Sequence, residues 1–315
     1  FIRPIAEKAD SDSASFDAKT WDEAYGELGG GEATSSFGKF TKVIGELGVD
    51  KVAIIDKMKQ TEGGDSRGDS PSGLKIRTIR HTTKQHFIDE VILPHLTDPK
   101  SLADSPRYQA LIDQGIDPRE AQIAASHERL LSITRQLDSA DIGSLGEKWH
   151  THWFAQAGDK TQFSVSRKDI ADRYKGTDLG QDRNLDLLKL VGDEQADLVE
   201  IKNVSSPVGE RERGELDAHL ALQGKDVMMP GAAGAKATPR TIRKVVWVIL
   251  NPDFLTSNAN VVFMTDQLKK NAFLEFRIYD ESGTTVPVTG ANYRTVLAGL
   301  TAAAKKSKAA REAVP

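Results

Sequence analysis

The 315-residue sequence contains no cysteine and no long apolar run. The absence of cysteine excludes a disulfide scaffold, a cysteine nucleophile and every thiolate metal site. Apolar stretches stay well short of the roughly 20 residues that a membrane-spanning helix needs, so we expect no membrane span. Glycine and proline number 26 and 12, which are ordinary counts and argue against collagen-like repeats or wholesale disorder. The composition therefore indicates a soluble globular chain of one to three domains.

The chain begins at Phe1, without an initiator methionine or an apolar signal segment. We therefore expect no signal peptide, and we expect a processed product or a part of a longer protein. The Gly-Lys-Ser/Thr ending of a phosphate-binding loop is also missing, which argues against a nucleotide-driven motor.

Two regions with different sequence patterns meet near residue 140. Residues 1–139 are predicted to be mainly helical, since apolar side chains recur there at helical spacing. Within this region, residues 60–73 contain no large apolar side chain and are predicted to form a flexible segment. No catalytic pattern stands out, and we interpret residues 1–139 as a delivery or regulatory region.

Residues 140–315 mix helical and alternating apolar patterns, which predicts an α/β domain. The expected order is a helix, three strands, a helix and a strand, followed by further elements. The predicted elements are a helix over 144–157, strands over 162–166, 185–191 and 196–204, a helix over 210–225, strands over 244–250 and 274–279, and a helix from Tyr293. The unbroken apolar run at 244–250 is typical of a central strand that is buried on both faces.

The second and third predicted strands are expected to form a hairpin around Asp193. Antiparallel pairing about this turn brings Asp186 opposite Glu200, with their Cβ atoms about 5 Å apart. Lys202 joins them, because residues i and i+2 share one face of a strand. The other face carries the apolar residues Leu185, Leu187, Val199 and Ile201. A shift of one residue in the pairing would separate the two carboxylates.

Two adjacent carboxylates with a lysine beside them suit metal-dependent hydrolysis of phosphodiesters. Hard oxygen ligands select Mg²⁺ or Mn²⁺, and the absence of cysteine and of a clear histidine cluster disfavours zinc. A metal held by Asp186 and Glu200 would activate water and offset charge on the leaving oxygen. Lys202 would orient or help to deprotonate that water and stabilise the pentavalent phosphate. These three residues are therefore the candidate catalytic set.

Asp186, followed after thirteen residues by Glu200-Ile201-Lys202, resembles the Asp…Glu-x-Lys signature of the PD-(D/E)xK, or restriction-endonuclease-like, nuclease superfamily. The resemblance implies an αβββαβ core. It also implies a further acidic metal ligand on the first core helix, and sometimes a glutamine on the helix after the Glu-x-Lys strand. Glu147 and Gln223 match these two positions. The sequence departs from the signature at Leu185, where many members have proline.

The segment Gly146-Glu147-Lys148-Trp149-His150, taken with the Asp…Glu-x-Lys residues, is also similar to endonuclease-like toxin domains at the C-termini of bacterial polymorphic toxins. This similarity implies a toxic nuclease of a bacterial antagonism effector that acts in the cytoplasm of a target cell after secretion or injection. A cognate immunity protein, small and acidic, would be its partner. DNA is the favoured substrate because most of the superfamily cuts it, and tRNA is the alternative.

Other interpretations remain open at this point. A restriction or repair nuclease that acts inside its own cell would use the same fold. Alternatively, Asp186, Glu200 and Lys202 form a solvent-facing salt-bridge cluster on an amphipathic strand, and the domain is a catalytically inactive binding module. Glu147 and Gln223 would then be ordinary surface residues. Divalent-metal binding separates the inactive module from both nucleases.

The charge distribution permits nucleic-acid binding without demonstrating it. The formal net charge is −4, with 18 basic and 23 acidic side chains in residues 1–139 and 24 and 23 in residues 140–315. Because several acids of the second region are candidate metal ligands, its outer surface is expected to be more basic than the count indicates. The candidate phosphate contacts are Arg240, Arg243, Lys244, Lys305, Lys306, Lys308 and Arg311.

Overall fold

The computed structural model describes residues 14–61, 70, 71, 73, 75–165, 183–229, 237–280 and 282–313. Most of the flexible segment predicted over 60–73 lies outside the described residues. The chain divides into two compact units, Phe1–Leu145 and Gly146–Pro315. The division falls inside the helix Ser139–Phe154, whereas the change in sequence pattern lies near residue 140.

The first unit consists mainly of helices in its described part. These are Trp21–Glu27, Ser36–Glu46, Lys51–Thr61, Ile76–Phe87, Leu93–Thr97, Pro99–Ala103, Pro106–Asp113 and Pro118–Thr134, with a π-helical turn at Ile88–Ile92. Three of them begin after Asp98, Ser105 and Asp117, whose side chains accept hydrogen bonds from the first turn. Each of these caps precedes a proline, which has no amide hydrogen to satisfy at that position.

The second unit is built on a seven-stranded sheet. Its strands are β1 (Lys160–Val165), β2 (Arg183–Val191), β3 (Gln195–Lys202), β4 (Asp226–Met229), β5 (Thr238–Ile249), β6 (Leu274–Tyr279) and β7 (Thr285–Thr289). The order across the sheet is β1-β2-β3-β5-β6-β7, and β4 pairs with the first part of β5. β3, β5 and β6 are parallel, and the remaining pairs are antiparallel. The predicted α/β class is therefore confirmed.

Helices flank the strands in the predicted order, with β4 inserted before β5. They are the helix Ser139–Phe154, which crosses the division between the units, then Glu210–Leu222, Asn258–Lys270 and Tyr293–Glu312, with a 3₁₀ turn at Pro252–Thr256. The end of β5 is fully buried, as its apolar run predicts. None of the helices in the described part of the chain has the length and apolarity required to cross a membrane.

The sequence patterns missed β4, β7 and the helix Asn258–Lys270. β4 has only four residues, which is too few for alternation to stand out from chance. β7 contains Pro287, which cannot donate to a strand ladder and is tolerated because β7 lies at the edge of the sheet.

The hairpin of β2 and β3 has the predicted register. Leu188 lies opposite Leu198, and Leu187 lies opposite Val199. The turn contains Gly192 at φ 61°, a conformation that glycine adopts without steric cost. The four apolar residues predicted to share the opposite face, Leu185, Leu187, Val199 and Ile201, are all buried.

Gly146 allows the helix Ser139–Phe154 to lie close to the end of β3. A Cβ atom added at this position would lie 2.8 Å from the Cβ of Asn203 and 3.0 Å from Cδ1 of Leu250. Both distances are shorter than the optimal separation of non-bonded carbon atoms. Because Asn203 Cβ is attached directly to the backbone, the clash cannot be relieved by a simple side-chain rotation.

We expect G146A to lower the free energy of unfolding by about 1–3 kcal/mol through overpacking, although alanine favours helices. Gly143 of the same helix has no heavy atom within 4 Å of its hypothetical Cβ. G143A should therefore raise stability by about 0.5–1 kcal/mol. Urea unfolding followed by tryptophan fluorescence would compare the two variants, and equal stabilisation by both would contradict the close approach at Gly146.

Candidate functional site

Four acidic side chains and one lysine gather near the end of β3. Asp186 comes from β2, Glu200 and Lys202 come from β3, and Glu215 comes from the helix that follows β3. Glu147 comes from the helix that precedes β1. Each of the carboxyl groups of Glu147, Asp186 and Glu200 is influenced electrostatically by Lys202 and Glu215. We call these five residues the carboxylate cluster.

Lys202 connects two of the acids through its ammonium group. Its Nζ donates hydrogen bonds to Oε1 of Glu200 at 2.5 Å and to Oε2 of Glu215 at 2.6 Å. It also lies 5.2 Å from the centre of the Trp247 ring. Burial favours the neutral amine, but the two carboxylates outweigh it and raise the pKa of Lys202 above its ordinary value. The side chain is therefore a charged donor in this arrangement.

Asp186 lies where the regular pairing of β2 with β3 ends. The last pair before it is Leu187 with Val199, and beyond that point Oδ2 of Asp186 accepts a hydrogen bond from the amide of Ile201 at 2.8 Å. The carboxylate thus replaces a backbone partner and is held against β3. Burial and the nearby charge of Glu200 raise the pKa of Asp186 to about 8, although the hydrogen bond from Ile201 opposes this shift.

Glu200 is the most deeply buried member of the cluster, with 3% of its surface exposed. Its Oε1 atom accepts from Lys202, while its Oε2 atom is buried and accepts no hydrogen bond from the described residues. Nε2 of His219 lies 3.7 Å from Oε2. Burial and the charge of Glu215 raise the pKa of Glu200 to about 7, against the effect of Lys202. The predicted alternative of a solvent-facing cluster is therefore wrong for Glu200.

Glu147 is half-buried on the helix Ser139–Phe154. Burial, together with the charge of Asp186, raises the pKa of Glu147 to about 7. Trp149 and His150 are core residues, since Trp149 packs on Tyr279 at 5.5 Å and His150 stacks on Phe154. Burial lowers the pKa of His150 to about 3, which keeps it neutral. Within the segment 146–150, Glu147 alone belongs to the carboxylate cluster.

The structure does not bring Gln223 to the cluster. This residue caps the end of the helix Glu210–Leu222 and forms a bridge with Ile242 near the start of β5. Lys202 pairs with Ile249, seven residues further along β5, which corresponds to about 23 Å of strand. Gln223 therefore lies towards the opposite end of the sheet, and the structure gives no support to its assignment as a site residue.

Glu215 was not predicted from the sequence, although a signal for it exists. The loop between β3 and the helix Glu210–Leu222 has seven residues, so the first turns of this helix stay near the end of β3. Its last residues lie further away, since a helix advances 1.5 Å per residue. An acidic residue in the second turn was therefore a better candidate than a glutamine at the end.

Several of the basic residues proposed for phosphate contacts are engaged elsewhere. Arg243 donates two hydrogen bonds to Asp197, at 2.9 and 2.7 Å, and Lys244 donates to Glu275 at 2.5 Å. Arg311 is paired with Asp253. Since these charges are already partnered, contacts to nucleic acid by Arg243, Lys244 and Arg311 would require those ion pairs to open.

The donor set of the cluster suits a hard divalent cation. Two of the four carboxyl groups form ion pairs with Lys202, and a buried oxygen of Glu200 is left without a hydrogen bond from the described residues. Glu147, Asp186 and Glu200 would supply the oxygen ligands that Mg²⁺ or Mn²⁺ prefers. In the described part of the chain, no three acidic or histidine side chains already stand at positions that would hold a metal ion.

Comparison of this chain with models of protein families, with curated proteins and with solved structures finds no match.

Without divalent ions, we expect the free energy of unfolding to fall as the pH rises from about 5 to about 8. The pKa values of Asp186, Glu147 and Glu200 are raised, so the folded chain binds more protons than the unfolded chain in this range. Losing those protons destabilises the fold, by an amount on the order of a few kcal/mol. Thermal unfolding in EDTA would measure the slope, and Mg²⁺ or Mn²⁺ should restore stability at pH 8.

Glu200→Gln should reduce this pH dependence, because it removes one titrating group from the cluster. Glu275→Gln is the matched control, since Glu275 is another buried acid of the same sheet. Burial is opposed there by hydrogen bonds from Lys244 and Arg277, and the pKa of Glu275 is lowered. Its titration therefore falls below the measured range. An unchanged melting temperature in wild type between pH 5 and pH 8 would contradict the raised pKa values.

Proposed function

We propose that the second unit is a metal-dependent nuclease that hydrolyses phosphodiester bonds, with DNA as the favoured substrate. The observation that carries this proposal is the burial of Glu200 beside three other carboxyl groups, with the Lys202 ammonium group bonded to Glu200 and Glu215. A purely structural salt-bridge cluster gains stability by balancing its charges, because unpaired buried charges are costly. This cluster has four acids and one lysine, and burial and neighbouring carboxylates raise the pKa values of three of its acids because their charges are not balanced, as expected for a cation site.

Each member of the cluster has a distinct proposed role. Glu147, Asp186 and Glu200 would hold Mg²⁺ or Mn²⁺, which when bound supplies Lewis-acid activation of water and of the phosphoryl oxygen. The ammonium group of Lys202 would donate to a non-bridging phosphate oxygen and stabilise the charge that develops there. Glu215 would keep Lys202 oriented while Glu200 is engaged as a ligand.

A restriction-endonuclease-like core is the fold that we propose for this unit. The order of its elements supports it, since a helix, three strands, a helix and a strand follow each other along the chain. The position of Asp186 beside the Glu-x-Lys strand supports it as well. β4 is an addition to that order and pairs only with the first part of β5, away from the carboxylate cluster.

We also propose that the nuclease is the toxic domain of a bacterial antagonism effector. It would act in the cytoplasm of a target cell, with residues 1–139 serving delivery or regulation and a small acidic immunity protein as partner. Support comes from the similarity of the segment 146–150 and the Asp…Glu-x-Lys residues to polymorphic-toxin nucleases. A restriction or repair nuclease remains the alternative role for the same chemistry.

Purified protein should cut plasmid DNA in the presence of Mg²⁺ or Mn²⁺, and EDTA should abolish the cutting. Glu200→Gln should lower the rate at least about 100-fold by weakening metal binding. Lys202→Ala should lower it about 10²–10³-fold by removing a donor to the transition state. Glu275→Gln, which alters a buried acid outside the cluster, should cut like wild type. Total tRNA, incubated in parallel, tests the alternative substrate.

Calorimetry would measure metal binding by the same proteins. We expect wild type to bind Mn²⁺ and Glu200→Gln to bind it at least about tenfold more weakly. A folded wild type that neither cuts nucleic acid nor binds Mg²⁺ or Mn²⁺ would refute the nuclease proposal and favour a structural cluster.

Expression in the bacterial cytoplasm should arrest growth if the domain is a toxin. The Glu200→Gln variant should not arrest growth at equal protein level, because toxicity would require catalysis. Co-expression of the adjacent open reading frame should rescue the wild type. Normal growth with an enzyme that is active in vitro would favour the restriction or repair alternative.

A further inference from the structure

Gln162 has a left-handed backbone conformation inside a β-strand. Its φ is 50°, and every other residue with a positive φ in the described part of the chain is a glycine. A side chain makes this conformation unfavourable for an L-amino acid, and glutamine lacks the local hydrogen bonds with which asparagine and aspartate offset the strain. Such strain persists only where the surrounding structure imposes it, and it is concentrated at functional sites.

The strained residue lies directly beside the carboxylate cluster. Thr161 pairs with Leu187 and Phe163 pairs with Leu185, so Gln162 falls opposite Asp186, where the pairing of β1 with β2 is interrupted. On its other side, Asp186 is bonded to the amide of Ile201 on β3. Asp186 therefore has Gln162 as its neighbour on one strand and the Glu200 segment as its neighbour on the other.

The side chain of Gln162 is exposed. Phe163 and Val165 are buried while Gln162 and Ser164 are exposed, so Gln162 follows the alternation of β1, whereas Thr161, which the alternation would bury, is exposed as well. A ligand can therefore reach the Gln162 amide from solvent.

We propose that Gln162 binds a phosphate of the nucleic-acid backbone next to the scissile bond, an inference that rests on the proposed nuclease function. An amide NH₂ group donates hydrogen bonds to non-bridging phosphate oxygens, which are common protein contacts in nucleic-acid complexes. Because the amide is neutral, the acidic cluster neither attracts it into an ion pair nor repels it. Lysine or arginine at this position would be drawn to Asp186 and Glu200, and an acid would repel the phosphate.

Substitution by glycine tests this role, because glycine removes both the amide and the strain. Gln162→Gly should melt at or above the wild-type temperature, while kcat/KM for a short DNA duplex should fall about tenfold, mainly through a higher KM. Gln162→Asn keeps an amide that tolerates positive φ and should recover part of the loss. Thr161→Ala, at the adjacent exposed position with ordinary backbone geometry, should match wild type.

Duplex binding in Ca²⁺, measured by fluorescence anisotropy, should show the same order of affinities without cleavage. Wild-type cutting and binding by Gln162→Gly would overturn this inference and leave the nuclease proposal intact. A loss of activity that accompanies a lower melting temperature would also overturn it, because the residue would then be structural. If wild type neither cuts nor binds nucleic acid, the proposed function fails first and this inference fails with it.

Discussion

The ammonium group of Lys202, held between Glu200 and Glu215, is the interaction on which the site depends. Removing carboxylates from water costs several kcal/mol for each charge, and attraction to partners of opposite charge must offset that free energy. Here a single lysine donates hydrogen bonds to two carboxylates, one on β3 and one on the following helix. Ion pairs join the strand and the helix at this point. Trp247, which lies beside Lys202, belongs to the apolar core of the unit. The positions of Glu200 and Glu215 therefore both depend on one side chain.

Three local departures from regular structure concentrate negative charge beside that lysine. The pairing of β2 with β3 ends at Leu187, and beyond it the Asp186 carboxylate accepts a hydrogen bond from the amide of Ile201 on β3. Gly146 removes the side chain that would hold the Glu147 helix away from Asn203. Gln162 has an unfavourable backbone conformation opposite Asp186. The strained backbone of Gln162 has a local cost in stability, and proteins typically carry such costs where a site needs them.

Two groups of buried charges in the same sheet differ in their balance. Around Glu275, two cations form ion pairs with one buried acid, and the pKa of that acid is lowered. In the carboxylate cluster, the four acids are accompanied by Lys202, which forms ion pairs with two of them, and three of the pKa values are raised. The ion pairs around Glu275 are typical of a stabilising network, because the buried acid is paired with opposite charges. This difference supports the proposal that the carboxylate cluster binds a cation.

The sequence by itself determined the α/β class, the register of the hairpin and the grouping of Asp186, Glu200 and Lys202. These features follow from short-range rules, since a strand repeats every two residues and a tight turn sets the pairing of its arms. Tertiary structure alone decided that Glu200 is buried, that Glu215 and not Gln223 reaches the cluster, and that Gln162 is strained. Those outcomes depend on how a helix packs on a sheet and where a strand ladder breaks. Such long-range contacts leave no periodic trace in the sequence of either partner.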